Sequence, residues 1–450
     1  MVSTVDPGEH ETSARPTVAL SALALFQISI FWFTTNAIWG GLDIFQQERA
    51  IQLLGKDAAP GAVGVLDLLL APFGMLVMPI MGSVSDYAST RWGRRKPFVL
   101  VGALGASIAL VGLALAPTFG LVALFFVILS VFSNVARGPF SGLVPDLVPE
   151  RQVGLASGLM GLMVMLGIVG GFLVVWSVYP LKDVLGLGTL DFGPPMIVLA
   201  VIVAATGIGS FLWIPNGPPP KPRDGRPWTA VALETFGTDI LQSRDYVYLL
   251  CSRFFIMMGG GFFMNLNVLF LLNAFGMNEE TRGGWIFAGL VAGAVGSTVS
   301  TLPGARLGNR IGRKPVIYGS AILGAVSIAM IGLAPTPAIV IVGVALLGLA
   351  FGAFLAVDWA LMTEVIPMAS AGRYMGFSNI VDALNGPLAS AIGAFTMSFV
   401  AAALGSEAGG RVGMLVGVVV FAAGIAFLVP VREPGRGTAG RRPAGEVLAA

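Results

Sequence analysis

Histidine and cysteine are almost missing from this chain: its 450 residues hold one of each, His10 and Cys251. A lone cysteine forms no intrachain disulfide and builds no cysteine-based metal site. A lone histidine in a polar N-terminal stretch supports no histidine metal centre, no Ser–His or Cys–His catalytic pair and no histidine proton relay within a membrane. Charge is scarce too, at 11% of residues, and a soluble fold needs a larger polar shell than that. The net charge of +2 is too small to favour an acidic partner such as a nucleic acid. No Gly-x-x-x-x-Gly-Lys-Ser/Thr stretch occurs, and no long polar segment could house an ATP-hydrolysing domain.

Apolar residues fill the gap. They make up 56% of the chain, and the mean hydropathy is +0.85. Runs of about 20 apolar residues match the thickness of a bilayer core. The expected fold is therefore an all-α polytopic membrane protein. Twelve spans are expected near 18–45, 61–84, 97–116, 119–140, 154–178, 193–214, 246–273, 283–303, 315–334, 337–360, 373–400 and 411–431. The tail at 1–17, with Asp6, Glu9, Glu11 and Arg15, lacks the basic start and cleavage site of a secretory signal, so the first run is expected to stay as an anchor. Residues 18–214 and 246–431 then form two six-helix bundles, joined by a linker at 215–245 and followed by a tail at 432–450. The linker opens Pro215-Asn-Gly-Pro-Pro-Pro, too rich in proline for a helix, and the segment running to Asp245 is expected to form a short interfacial helix.

The bundles are related. An offset of 218 residues carries Arg95-Lys96-Pro97 onto Arg313-Lys314-Pro315, Ala116-Pro117-Thr118 onto Ala334-Pro335-Thr336, Asp146 onto Glu364 and Pro149 onto Pro367. One shift that aligns loops, helix breaks and an acidic residue marks a tandem repeat. Of the 26 Lys and Arg residues, Arg49, Lys56, Lys182, Arg282 and Arg411 fall in loops on one side and Arg253 inside span 7; the rest fall on the other side. By the positive-inside rule both termini face the cytoplasm, and the expected location is the plasma membrane.

The densest basic cluster lies between spans 2 and 3, in Gly82-Ser-Val-Ser-Asp86-Tyr-Ala-Ser-Thr-Arg91-Trp-Gly-Arg94-Arg95-Lys96-Pro97-Phe98. A topology signal explains its charge but not its pattern. Asp86 beside Arg91, Arg94 and Arg95 is placed to lock two spans together. This loop resembles the signature between spans 2 and 3 of the major facilitator superfamily. Its four extra residues, Tyr87 to Thr90, and its Gly-Arg-Arg-x-Pro-Phe ending resemble the glycoside–pentoside–hexuronide and sucrose-transporter-like branch. Arg137-Gly138-Pro139 and Leu143-Val-Pro-Asp146-Leu147 also resemble that branch, but Ser141 stands where sucrose-type members carry an arginine implicated in sugar binding. The second copy of the loop has Gly308 about where an aspartate is expected. The resemblance implies that spans 1, 4, 7 and 10 surround a central cavity while 3, 6, 9 and 12 face lipid.

Charges inside a bilayer are costly and mark functional candidates. Those in or near spans are Asp43, Asp67, Arg137, Arg253, Asp358 and Asp382, and none falls in spans 3, 6, 9 or 12. For Asp43, Asp67 and Arg253, snorkelling to an interface is an equal reading; for Asp382, a structural ion pair is the alternative. Asp382, about ten residues into span 11 and so near mid-membrane, is the first coupling candidate and Asp358 the second. Arg253, Trp32, Asn36, Asn265, Trp359, Asn379 and Asn385 are candidates for a solute cavity, with Trp39 and Asn267 as further polar or stacking side chains; each is also a common helix–helix contact. Asp86, Arg91, Arg94, Arg95, Arg137, Asp146, Arg313 and Glu364 are candidates for a cytoplasmic gate, with Arg137 and Asp358 expected to meet when it shuts.

The expected function is secondary active transport of a small polar organic solute, a sugar or glycoside, by alternating access. Coupling is expected to protons or sodium, without another cofactor or a bound metal, in a monomer whose partners are the solute and the bilayer. Efflux of amphipathic drug-like compounds is the first alternative. A pigment-handling protein or enzyme on the same scaffold is the second, though no catalytic constellation supports it.

Overall fold

In the computed structural model, which describes residues 19–178, 193–217, 219, 225, 227, 243–365 and 371–431, twelve helices are long and apolar enough to cross a membrane. The first six are α1 (Ala22–Leu54), α2 (Ala59–Tyr87), α3 (Lys96–Leu115), α4 (Phe119–Ser141), α5 (Val153–Val178) and α6 (Gly193–Trp213). The second six are α7 (Arg244–Phe275), α8 (Glu279–Ile311), α9 (Arg313–Gly332), α10 (Pro337–Val365), α11 (Ala371–Leu404) and α12 (Ser406–Leu428). A short helix at Leu143–Leu147 follows α4. All the regular elements among the described residues are helical. The chain is thus an integral, multi-pass membrane protein. Both expected tails, and most of the linker with the expected interfacial helix, lie outside the described residues.

Local chemistry sets the helix ends. The Ser21 and Asn278 side chains accept from Ala24 N–H at 3.2 Å and Thr281 N–H at 3.0 Å, capping α1 and α8. Pro97 sits in the first turn of α3, where its missing N–H has no intrahelical role. Gly276, at φ 64°, ends α7 in the left-handed region that a side chain disfavours. The largest departure from the expected spans is α1, which runs to Leu54 rather than ending near 45. The polar run Gln46-Gln47-Glu48 reads as the end of an apolar span, but these residues are buried and bonded within the protein, so the helix continues through them.

Helix pairing repeats between the halves. In the first half α1 packs on α5, α2 on α4, α3 on α4 and α3 on α6; in the second, α7 packs on α11, α8 on α10, α9 on α10 and α9 on α12. Lipid offers no hydrophobic drive for such contacts, so close backbone approach supplies much of the attraction. A Cβ on Gly171 would run into the Ala37 carbonyl, and one on Gly348 into the Gly293 carbonyl. Gly308 belongs to the same set: a Cβ there would press on Val357 of α10, which leaves no room for the aspartate expected in the second loop copy. Helices α3, α6, α9 and α12 carry exposed apolar side chains such as Ile108, Val201, Ile322 and Val419 and contribute nothing to the cavity described below.

Gly171→Leu and Gly348→Leu should each destabilise the bundle by about 1–3 kcal/mol through overpacking, read as a lower melting temperature in detergent. Gly161→Ala, at an open position, should leave the melting temperature unchanged or slightly higher. Equal effects at all three positions would contradict the packing account.

Candidate functional site

A cavity of about 400 Å³ lies between the halves. Helix α1 contributes Trp39, Asp43 and Gln46, and α2 contributes Asp67, Gly74 and Met78. Helix α4 contributes Ser130, Asn134 and Arg137 at helical spacing, α7 contributes Asn265, and α11 contributes Asp382 and Pro387. Of the expected ring of spans 1, 4, 7 and 10, α1, α4 and α7 line the cavity, α2 and α11 join them, and α10 contributes no lining residue among those described. The reason is that α10 turns its one buried aspartate, Asp358, onto α7 instead of the cavity.

That contact is half of a three-residue cluster. Arg253 of α7 donates from Nε to Asp382 Oδ1 at 3.0 Å and from Nη2 to Asp382 Oδ2 at 2.8 Å, a fork on α11. Its Nη1 pairs with Asp358. The Asp358 side chain is 1% exposed and its Oδ1 has no donor, whereas the Asp382 side chain is 24% exposed and faces the cavity. One guanidinium therefore serves two carboxylates. Arg253 is itself 5% exposed and Asp67 9%, so neither snorkels to an interface. Asp67 accepts from Gln46 Nε2 at 3.3 and 3.4 Å, and the buried Ser390 hydroxyl of α11 lies beside it without hydrogen-bond geometry.

Arg137 differs. It lines the cavity, its Nε is buried without an acceptor, and among the described residues it pairs with no carboxylate. The Trp32 ring, which lies outside the cavity lining, is 5.7 Å from its guanidinium carbon and in turn packs edge-on against Phe140. In this conformation Asp358 belongs to Arg253.

At the end away from the basic loops, the halves are joined. Arg282 at the start of α8 donates from Nε to Glu48 Oε1 at 3.1 Å and from Nη2 to Glu48 Oε2 at 2.6 Å, with side chains 4% and 6% exposed. Gln47 Oε1 accepts the Leu269 N–H at 3.1 Å, just past Leu266, where α7 leaves helical geometry. A side chain inserted at a broken helical ladder is a recognised cause of such a kink. Gly64 of α2 meets Ala391 and Ala394 of α11, and Phe172 of α5 stacks on Phe287 of α8 at 5.5 Å. Glu48 escaped the sequence reading because it sits in a polar run that imitates a loop; its one signal is its position a single turn beyond Asp43 and Ile44.

At the opposite end, Asp146 accepts from Arg94 Nη2 at 2.6 Å and Arg95 Nε at 2.5 Å, and Arg95 Nη2 also pairs with Asp86 at 2.9 Å. The turn before them is held by Thr90, whose hydroxyl donates to the Gly93 carbonyl at 2.6 Å. Arg91 instead lies over Trp92 at 4.1 Å. These pairs tie α2, α3 and the segment after α4 to one another within the first half, and Arg94 also reaches the Pro219 carbonyl of the linker at 3.5 Å. Burial alone would raise the Asp146 carboxyl, but hydrogen bonds and charge from Arg95 and Arg94 outweigh it and hold the group below its ordinary range. In the second copy Arg313 opens α9, Lys314 donates to the Val429 and Val431 carbonyls at 2.7 Å, and the Glu364 side chain lies outside the described residues.

Of the other expected residues, Asn36 donates to the Trp32 carbonyl at 2.8 Å and lies outside the cavity lining, as does Asn385. Asn265 lines the cavity and donates to the Gly261 carbonyl at 2.8 Å. Asn267 donates to the Met264 carbonyl at 2.8 Å. The side chains of Trp359 and Asn379 lie outside the described residues. No group of histidine, cysteine, aspartate and glutamate fit to hold a metal ion occurs among the described residues.

The family model of the Major Facilitator Superfamily matches residues 17–390. A sucrose transport protein of Arabidopsis thaliana is 32% identical over 117 residues, which are 22% of this chain and 23% of that protein. A lactose permease of Leuconostoc lactis is 24% identical over 285 residues, 60% of this chain and 42% of the permease. The alignments thus span less than half of these relatives' length. Among solved structures, a D-xylose–proton symporter superposes with a TM-score of 0.66 at 17% identity, covering 91% of this chain and 97% of the symporter. A nucleoside transporter does so with a TM-score of 0.65 at 14% identity, covering 90% and 98%. At such identities the likeness is one of fold.

Glu48→Gln should loosen the joined end by about 3–5 kcal/mol, because it leaves Arg282 buried without a counter-charge. Spin labels on the adjoining ends of α5 and α8 should then move apart, and Glu48→Gln with Arg282→Gln should partly reverse this; an unchanged distance in the single variant would contradict a clasp. Asp146 holds its proton less readily folded than unfolded, so its stabilisation is present above the ordinary carboxylate range and is lost as pH falls below it. Asp146→Asn should lower the melting temperature at pH 7, and the gap to the wild type should close only below about pH 4.

Proposed function

Because the chain belongs to the Major Facilitator Superfamily, we propose that it is a secondary active transporter that moves a small polar organic solute, a sugar or glycoside, with a coupled proton. The observation that carries this reading is the Arg253 cluster at the cavity wall. Two carboxylates facing one guanidinium leave one negative charge uncompensated in a low-dielectric setting, and such a charge calls for a mobile cation. Asp382 is the member reached from the cavity, so it is the group that takes up and releases the proton. While Asp382 is charged it holds α11 to α7 through Arg253. Protonation leaves Arg253 to Asp358 alone and frees α11 to move relative to α7. Alternating access needs such a link between ion occupancy and helix position.

The conformation fits an inward-facing state. With the basic loops in the cytoplasm, the Glu48–Arg282 clasp, the Gln47–Leu269 bond and the α2–α11 contacts close the outer end. The first-half cluster at Asp86, Arg95 and Asp146 then stiffens the cytoplasmic face of one bundle, ready to dock on the other when the inner gate shuts. The sugar reading rests on the polar cavity wall, the loop pattern and the partial likeness to sucrose and lactose carriers. Asp43, Gln46, Asp67, Asn134 and Asn265 offer more polar groups than an amphipathic cargo needs.

Reconstituted Asp382→Asn should lose accumulation driven by a pH gradient by about tenfold or more while retaining solute exchange, which moves no net proton. Labelled sugars trapped in or supplied to proteoliposomes, with and without the gradient, measure both. Accumulation by the variant at wild-type level would place coupling elsewhere, with Asp358 next; loss of exchange as well would make Asp382 a binding or structural residue.

A further inference from the structure

The charges around the cavity do not balance. Asp43, Asp67, Asp382 and Arg137 line it, and Arg253 and Asp358 complete the cluster at Asp382. Four carboxylates against two guanidiniums leave two negative charges. The proton that the transport reading gives to Asp382 removes one of them. The other falls to Asp43 and Asp67, which pair with no lysine or arginine among the described residues. The Asp43 side chain accepts no hydrogen bond from those residues, and the charge that acts on it is that of Asp67. Asp67 accepts two long bonds from Gln46, at 3.3 and 3.4 Å. Beside it lies the Ser390 hydroxyl of α11, fully buried and without a hydrogen-bond partner. Two like charges at the wall of a largely enclosed cavity are unfavourable unless a cation joins them.

We infer that Asp43 and Asp67 bind an ammonium group carried by the solute, so that the transported sugar is a monocation, an amino sugar. This inference rests on the transport reading and narrows its substrate class. An ammonium has three N–H donors and no acceptor. Asp43 of α1 and Asp67 of α2 each offer a carboxylate to it, and Ser390 adds a free oxygen on a third helix. Trp39 lines the cavity one turn before Asp43 on the same face of α1, and its ring can lie against the cation or the sugar. A metal ion suits the place less well. A hard metal ion takes about six or more oxygen ligands, whereas Gln46 turns N–H donors toward Asp67 and no metal-holding group occurs among the described residues. The pair lies at the cavity end next to the outer closure. Gln47 and Glu48 follow Asp43 by one turn, and Gly64, one turn before Asp67, meets Ala391 and Ala394 of α11. Arg137 sits near the opposite end of α4 and repels a cation toward this pair, which gives the solute one orientation.

The test uses matched sets that differ in the amine, at about pH 6, where an amine is charged. The sets are D-glucosamine with D-glucose and N-acetyl-D-glucosamine, D-galactosamine with D-galactose, and N-methyl-D-glucamine with sorbitol. Ligand-induced melting shifts of the purified full chain measure binding, and uptake of labelled members into proteoliposomes measures transport. In at least one set the amine should act at about tenfold lower concentration than its neutral partners, as expected for a charge-assisted bond. Asp43→Asn and Asp67→Asn should each reduce that difference, and the double variant should abolish it. If Asp67→Asn does not fold, Asp43→Asn carries the test, because no bond within the described protein uses that side chain. Equal action of amine and neutral members, absence of a shift from every amine, or selectivity unchanged in Asp43→Asn would overturn the inference. So would a melting shift from sodium chloride over potassium chloride that Asp43→Asn removes, if no amine is preferred; the pair would then hold a metal ion. Uptake of neutral sugars alone would uphold the transport reading and overturn the amine. Selective binding of amines with no uptake of any member would uphold the site and overturn the transport reading instead.

Discussion

A charge held in the hydrocarbon layer must find its partner within the protein, because no water is there to solvate it. That constraint organises the whole molecule. Glu48 and Arg282 meet across the two halves and so hold one end together. Arg253 draws α7, α10 and α11 to a single point through Asp358 and Asp382. Each of these charges is strongly unfavourable alone, so the helices that carry them are fixed in place by the need to pair. Arg137, which pairs with no carboxylate among the described residues, lines the cavity instead.

The tandem repeat supplies a symmetric frame onto which these charges are placed asymmetrically. Helix pairings recur from one half to the other, yet the repeat positions of Arg253, Asp358 and Asp382 in the first half are Thr35, Phe140 and Val164, and that of Arg137 in the second is Leu355. The basic loop follows the same rule. Its first copy forms a cluster around Asp146, while in the second Gly308 is reserved for close packing against Val357 and Lys314 caps the end of α12. Duplicated halves give two bundles of one design; single charges make the two different.

Glycine and polar side chains act together at the boundary between these bodies. Gly64 lets α2 approach α11, and beside this contact Gln47 accepts an N–H released by the kink in α7. The joined end thus combines small residues and apolar contacts, the Phe172–Phe287 stack among them, with one buried ion pair and one bond from a side chain to the backbone.

Twelve spans, the repeat, the basic side and the family pattern were legible in the sequence, because each is written in residues near one another along the chain: hydropathy over about 20 residues, loop charge, and an offset that realigns short motifs. The prominence of Asp382, Asp358, Arg253 and Arg137 was legible for the same reason, since a charge inside an apolar run stands out without a structure. Their partners were not. Arg253 and Asp382 are 129 positions apart, and Glu48 and Arg282 are 234 apart. Glu48 was hidden altogether, because a polar run at the end of a helix reads as a loop until its partners arrive from elsewhere. Sequence by itself marked Asp382, Asp358, Arg253 and Arg137 as charges set within apolar runs; only tertiary structure decided that Glu48 and Arg282 are buried too and which charges neutralise one another, because pairing depends on distances through space that helix packing alone sets.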